Sequence, residues 1–139
     1  MLPQRTIPML SYEDAGRAAD WLVEFFGFTE TGRWSDGDRV AHVNLELGGS
    51  TLMVGWPGEG YVGPRRHAEE CEAARRWQET PYVVDGVLIY VEDVDAHCER
   101  ARAGGARILS EPEDNPYAGQ RQYRAEDPEG HRWMVAQPL

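Results

Sequence analysis

The sequence predicts an α+β fold in which one unit, a strand, a helix and further strands, occurs twice. Three observations carry that expectation. Tyr12-Glu13-Asp14-Ala15 matches Val91-Glu92-Asp93-Val94, an acidic helix cap placed just after a short strand in each half. A helix-ending glycine follows each Asp at similar distance, Gly27 after Asp14 and Gly105 after Asp93. The closing strands also align, Gly49 to Val54 against Gly130 to Val135, with Leu52-Met53-Val54 over Trp133-Met134-Val135. Such a unit makes a small sheet covered by a helix on one face. Two of them leave the opposite faces free to form a shared cleft.

The elements follow in order. Thr6 to Ser11 is a short apolar run that reads as a strand. Asp14 to Phe26 has Ala15, Ala18, Ala19, Leu22, Phe25 and Phe26 at helical spacing, with Asp14 as N-cap and Gly27 as C-cap. Trp21 lies beside Leu22 and Phe25 and is expected in the core. Val40 to Leu47 alternates, Ala41, Val43, Leu45 and Leu47 against His42, Asn44 and Glu46. Gly48-Gly49 makes a hairpin turn into the strand Ser50 to Trp56. The second half opens on the apolar strand Val87 to Val91. A helix from Asp93 to Ala103 follows, then strands around Arg107 to Leu109, Gln120 to Ala125 and Arg132 to Ala136. The turn Asp127-Pro128-Glu129-Gly130 precedes the last of these. Trp34 and Tyr117 fall in loops that precede strands. Between the halves, Arg65 to Glu79 reads as one helix ended by Pro81, in a connection long enough to be a lid or an interface arm. Trp77 and Tyr82 belong to that connection.

The whole chain, 139 residues, fits one domain, with module 1 at about 4–57, a linker or lid at 58–85 and module 2 at about 86–138. It carries 24 acidic and 14 basic residues, a net charge of −10 and an isoelectric point near 4.8. Such a surface repels phosphate backbones and anionic lipid, so neither a nucleic-acid nor a membrane partner is expected. Every basic residue is Arg, which excludes Schiff-base chemistry on a lysine. No apolar run approaches the roughly 20 residues of a membrane span, and Met1-Leu2-Pro3-Gln4-Arg5 lacks the pattern of a signal peptide. Cys71 and Cys98, far apart in sequence, read as reduced thiols. A cytoplasmic protein is the expectation.

Val91-Glu92-Asp93-Val94-Asp95-Ala96-His97 running into Gly104-Gly105-Ala106, and Asp127-Pro128-Glu129-Gly130-His131 before the last strand, resemble the vicinal-oxygen-chelate superfamily. That superfamily includes glyoxalase I, extradiol dioxygenases and bleomycin-resistance proteins, and the combination resembles its PhnB-like bacterial branch. The resemblance covers nearly the whole chain except the linker. It implies two βαβββ modules forming an open, cleft-enclosing mixed β-sheet barrel with helices outside. It also implies a homodimer. Metal-dependent members place one His, Gln or Glu ligand in the first and one in the last strand of each module. Carried over, these positions fall on Ile7, Met53, Gly86 and Met134, with the register open by one residue at Met53 and Gly86. None of the four offers a donor for a hard or borderline divalent ion. No cofactor is therefore expected, with a divalent metal as the alternative.

The remaining candidates are side chains expected to face the cleft. His42, Asn44 and Glu46 share one strand face, where His42 and Glu46 could do general acid/base work or the face could simply be solvated. Met53, Trp56, Tyr61, Tyr90, Tyr117, Arg124, Arg132 and Met134 are the other expected ligand-binding residues, because aromatic walls suit planar or cationic molecules. Arg132 and Met134 face the cleft if Trp133 and Val135 face the helix. His97 is expected on the surface and His131 in the closing hairpin. His67, Glu70 and Cys71 have helix-neighbour spacing that could hold zinc, although a solvated face accounts for them better. The expected function is a metal-free binding protein that sequesters an aromatic or cationic compound. The alternative is a lyase or isomerase with a divergent metal site or with acid/base catalysis by His42 and Glu46. A role confined to protein association is disfavoured by a mean hydropathy of −0.60.

Overall fold

In the first unit β1 (Met9–Ser11) leads into α1 (Ala15–Phe26), then β2 (Thr29–Asp36), β3 (Arg39–Leu47) and β4 (Ser50–Gly55). A computed structural model describes residues 5–80 and 85–139 of the chain. The Asp14 carboxylate accepts from Arg17 N–H at 3.0 Å and caps α1, and Gly27 closes its far end, as the sequence indicates. The helix buries Ala15, Ala18, Ala19, Trp21, Leu22 and Phe26. Each of the large side chains contributes about 2 kcal/mol by leaving water. Their partners are Val43, Leu45, Leu52 and Val54, the buried alternate residues of β3 and β4. The sheet order is β1-β4-β3-β2, with β1 parallel to β4 and the other pairs antiparallel. Gly48 and Gly49 both take positive φ (53° and 85°), the geometry a two-residue hairpin turn demands.

The second unit repeats this plan. It contains α2 (Pro64–Glu70), α3 (Glu72–Glu79), β5 (Gly86–Tyr90), α4 (Val94–Ala103), β6 (Arg107–Asn115), β7 (Gln120–Glu126) and β8 (Arg132–Pro138). Its sheet order is β5-β8-β7-β6, with β5 parallel to β8. Asp93 caps α4 by accepting from Ala96 N–H at 3.0 Å. Tyr123, Ala125, Trp133 and Val135 form the buried face under this helix. The chain is thus α+β, with two four-stranded mixed sheets. The first compact unit ends at Tyr61 and the second begins at Val62, so α2 and α3 belong with the second.

Three expectations need correction. Trp34 lies in β2, not in a loop. Thr29-Glu30-Thr31-Gly32-Arg33-Trp34-Ser35-Asp36 is almost wholly exposed at a sheet edge, so no apolar alternation marks it. The single helix expected over Arg65 to Glu79 is two helices, because Cys71 is extended (φ −136°, ψ 117°) and interrupts it. His97, expected on the surface, is 2% exposed in the face of α4 that also carries Val94, Cys98 and Ala101. Pro81 and Tyr82 lie outside the described residues, and α3 already ends at Glu79.

Candidate functional site

Alternation along β3 sets the helix-free face of the first sheet. Val43 and Leu45 are buried toward α1, which turns His42, Asn44 and Glu46 the other way. Strand register builds rows across that face: Met9, Met53, Asn44 and Gly32 in one, Ser11, Gly55, His42 and Trp34 in the next. His42 Nε2 donates to Asn44 Oδ1 at 2.6 Å. The Trp34 ring sits 5.4 Å from the His42 ring and is 53% exposed. It lies over Gly32, where a Cβ would come within 2.6 Å of its Cη2. Glu46 is exposed, in a row with Thr51. Around the face, the Tyr61 hydroxyl donates to the Ser11 carbonyl at 2.9 Å, and the Arg39 guanidinium stacks 4.3 Å over the Trp56 ring.

The second sheet is turned in the same manner. Leu88, Met134, Arg124 and Ser110 form one row of its helix-free face, and Tyr90, Ala136, Gln122 and Glu113 the next. Leu88 and Tyr90 are exposed. The Tyr90 hydroxyl donates to Gln120 Oε1 at 3.2 Å, and Gln120 Nε2 donates to Gln122 Oε1 at 2.7 Å. Arg132 is buried beside Glu126 at 3.7 Å and donates to the carbonyls of Thr80 (3.1 Å) and Gln78 at the end of α3. Its charge is thereby engaged within the second unit. Tyr117 is fully exposed at the turn between β6 and β7.

Of the sequence candidates, the first sheet brings together His42, Asn44 and Met53, and the second brings together Tyr90, Arg124, Met134 and Arg132. Trp56 and Tyr61 border the first face, and Tyr117 stands apart from both. Gln120 and Gln122 escaped the sequence reading, and Trp34 was read there as a loop residue. For the glutamines the signal was available: if Tyr123 and Ala125 are buried, Gln120, Gln122 and Arg124 must share the opposite face. Outside these faces, His97 and His131 are tied into the fold, and His67 is exposed on α2. His97 Nδ1 and the Tyr123 hydroxyl lie 2.7 Å apart in a buried hydrogen bond, and burial raises the Tyr123 phenol above its ordinary range. His131 N–H donates to the Asp127 carboxylate in the closing turn. Burial likewise raises the Cys98 thiol.

The metal-ligand positions that the resemblance implies lie on the first and last strand of each sheet. The helix-free sides of the first and last strands carry Met9, Ser11, Thr51, Met53 and Gly55 in one sheet. In the other they carry Gly86, Leu88, Tyr90, Arg132, Met134 and Ala136. No imidazole or carboxylate is among them, so the shift of one or two positions that the ladder makes to the expected register changes nothing. Met9, not Ile7, pairs with Met53, and Leu88, not Gly86, pairs with Met134. Among the described residues no three His, Cys, Asp or Glu side chains gather to hold a metal ion, His67, Glu70 and Cys71 included. No helix of the described residues is long and apolar enough to cross a membrane.

Known proteins share this architecture. The family model described as Glyoxalase/Bleomycin resistance protein/Dioxygenase superfamily matches residues 7–135. An uncharacterized protein of Mycobacterium bovis is 30% identical over 133 residues, spanning 95% of this chain and 82% of that protein. Among solved structures, TioX from Micromonospora sp. ML1 is similar with a TM-score of 0.70 and 33% identity, over 99% of this chain and 100% of that one. TnmS3, an antibiotic binding protein from Streptomyces sp. CB03234, matches over 100% of both chains with a TM-score of 0.63, and at 20% identity that likeness is one of fold.

Proposed function

We propose, for a chain that belongs to the glyoxalase/bleomycin resistance protein/dioxygenase superfamily, that it binds a small planar or amphipathic molecule on the helix-free faces of its sheets and does so without a metal. The observation that carries this reading is the chemistry of those faces. On their first and last strands, where the resemblance implies metal ligands, they present thioethers, a phenol and hydroxyls in place of imidazoles and carboxylates, and the Trp34 indole and the Asn44 and Gln122 amides stand on the neighbouring strands. An aromatic shelf of this kind suits a flat or cationic compound, and a net charge of −10 favours the approach of a cation. One neighbour of the same fold is an antibiotic binding protein, which is consistent with a sequestering role. Sequestration needs tight binding and no turnover. The reading extends to a homodimer in the cytoplasm and to the PhnB-like branch.

Acid/base catalysis by His42 and Glu46 has weaker support. Four residues apart on one strand, their backbones stand about 13 Å from each other. An acid and a base so separated would act on separate atoms of a substrate. Incubation with nickel, zinc, manganese and iron(II), followed by desalting and metal analysis, tests the metal-free reading. Less than about a tenth of an equivalent per chain is expected, whereas close to one equivalent overturns it and brings the enzyme reading forward.

A further inference from the structure

The hydrogen bonds on the second sheet have a direction. Gln120 is 7% exposed and its carboxamide touches three groups. Its Nε2 lies 3.8 Å from Met134 Sδ and 2.7 Å from Gln122 Oε1, and its Oε1 lies 3.2 Å from the Tyr90 hydroxyl. A thioether sulfur only accepts, so the edge of Gln120 that faces Met134 is its NH2. The Oε1 then faces Tyr90, whose hydroxyl donates to it. Gln122 consequently spends its oxygen on Gln120. Its own NH2 has no hydrogen-bond partner among the described residues and stands on the face, in the row shared with Tyr90. Leu88, 45% exposed, and Met134 supply an apolar floor beside it.

We propose that this face reads a hydrogen-bond acceptor. A flat, uncharged ring system lies against Leu88, Met134 and Tyr90, and a carbonyl on that ring accepts from Gln122 Nε2. Gln120 is the positioning residue that holds the Gln122 amide with its donor outward. The selection is for ketones, quinones, lactams and similar ring carbonyls over the same rings lacking them. This rests on the small-molecule reading above and names the ligand chemistry of one of its two faces.

A matched tricyclic series separates the two ideas. Binding of 9-fluorenone, fluorene and 9-aminofluorene to the full chain would be measured by calorimetry, and the side-chain amide signals of Gln122 would be followed by NMR. Fluorenone should bind about fivefold more tightly than fluorene, the worth of one neutral hydrogen bond. It alone should shift the Gln122 amide signals. In Gln122→Leu the preference for fluorenone over fluorene should vanish. Equal affinity for fluorenone and fluorene, or an unmoved Gln122 amide while fluorenone binds, overturns the acceptor reading and leaves small-molecule binding standing. Failure of all three to bind overturns both for this class of ring. The NMR measurement uses the unaltered chain, so it decides the matter even if the variant does not fold.

Discussion

At the scale of single residues, the buried carboxylate of Asp127 shows how a short motif earns its place. It accepts from the backbone N–H groups of Glu129 (3.2 Å) and His131 (3.0 Å), and from Trp133 Nε1 at 3.1 Å. The turn and the largest core side chain beneath it are thus tied to one group that is 1% exposed. Asp127→Ala leaves three donors without that acceptor, two of them on the backbone. A loss of about 3 kcal/mol is expected, read from urea denaturation at neutral pH. The motif was visible in the sequence as a turn, yet its buried anchor was not, because Asp in a Pro-Gly turn is usually exposed. His97 was misread for a related reason. Its acidic neighbours Asp93 and Asp95 suggest solvent, but Val94, His97, Cys98 and Ala101 recur at the spacing of one helix face, and that spacing decides burial. On the helix-free faces, the outward turn of His42, Asn44 and Met134 was legible from strand alternation alone. The partnership of Gln120 with Met134 was not, since it depends on which residues of β7 and β8 stand opposite each other.

At the scale of elements, the strongly patterned ones were legible and the edges were not. Helix α1 has its cap, its apolar stripe and its terminal glycine in the sequence. Strand β2 has none of these and exists because β3 supplies a ladder for it, with irregularities at Glu30/Gly32 and Trp34/Ser35. Its Trp34 depends on a missing side chain. In Gly32→Ala the new methyl displaces the indole from its seat, which should alter tryptophan emission and weaken binding of a cationic aromatic dye such as ethidium. The core does not involve Trp34, so the denaturation midpoint should move little. Helix α4 is fastened to β7 by charge: Arg121 donates to both Asp95 carboxylate oxygens, at 2.8 and 2.9 Å, and holds that carboxyl below its usual range. A carboxyl whose folded pKa is depressed stabilises the fold above its unfolded value near 4 and loses that contribution as pH falls through the folded one. Denaturation midpoints should therefore decline below about pH 4, less steeply in Asp95→Asn. The difference should shrink in 1 M salt, because the pair is exposed.

At the scale of the whole molecule, the internal repeat was the most reliable signal, because it constrains topology and not single residues. Two sheets with the orders β1-β4-β3-β2 and β5-β8-β7-β6 follow one plan, and matched Asp caps and closing strands announced it. Net charge is the other property of the whole. If ligands are cationic, their association should slow and their affinity should drop as ionic strength rises from 0.02 to roughly 0.5 M, while an uncharged ring such as fluorene should be insensitive to salt. The repeated plan also bears on how the chain reaches its native state. In each unit the first strand pairs with the last, Met9 with Met53 and Gly86 with Arg132. The other strand pairs are antiparallel neighbours joined by short turns. Closing a parallel ladder across roughly 45 residues must await those local pairs, since its loop entropy is recovered only once they stand. Each unit should thus refold with its hairpins early and its first strand last, and amides of β4 and β8 that bond to β1 and β5 should become protected late in pulse-labelled hydrogen exchange.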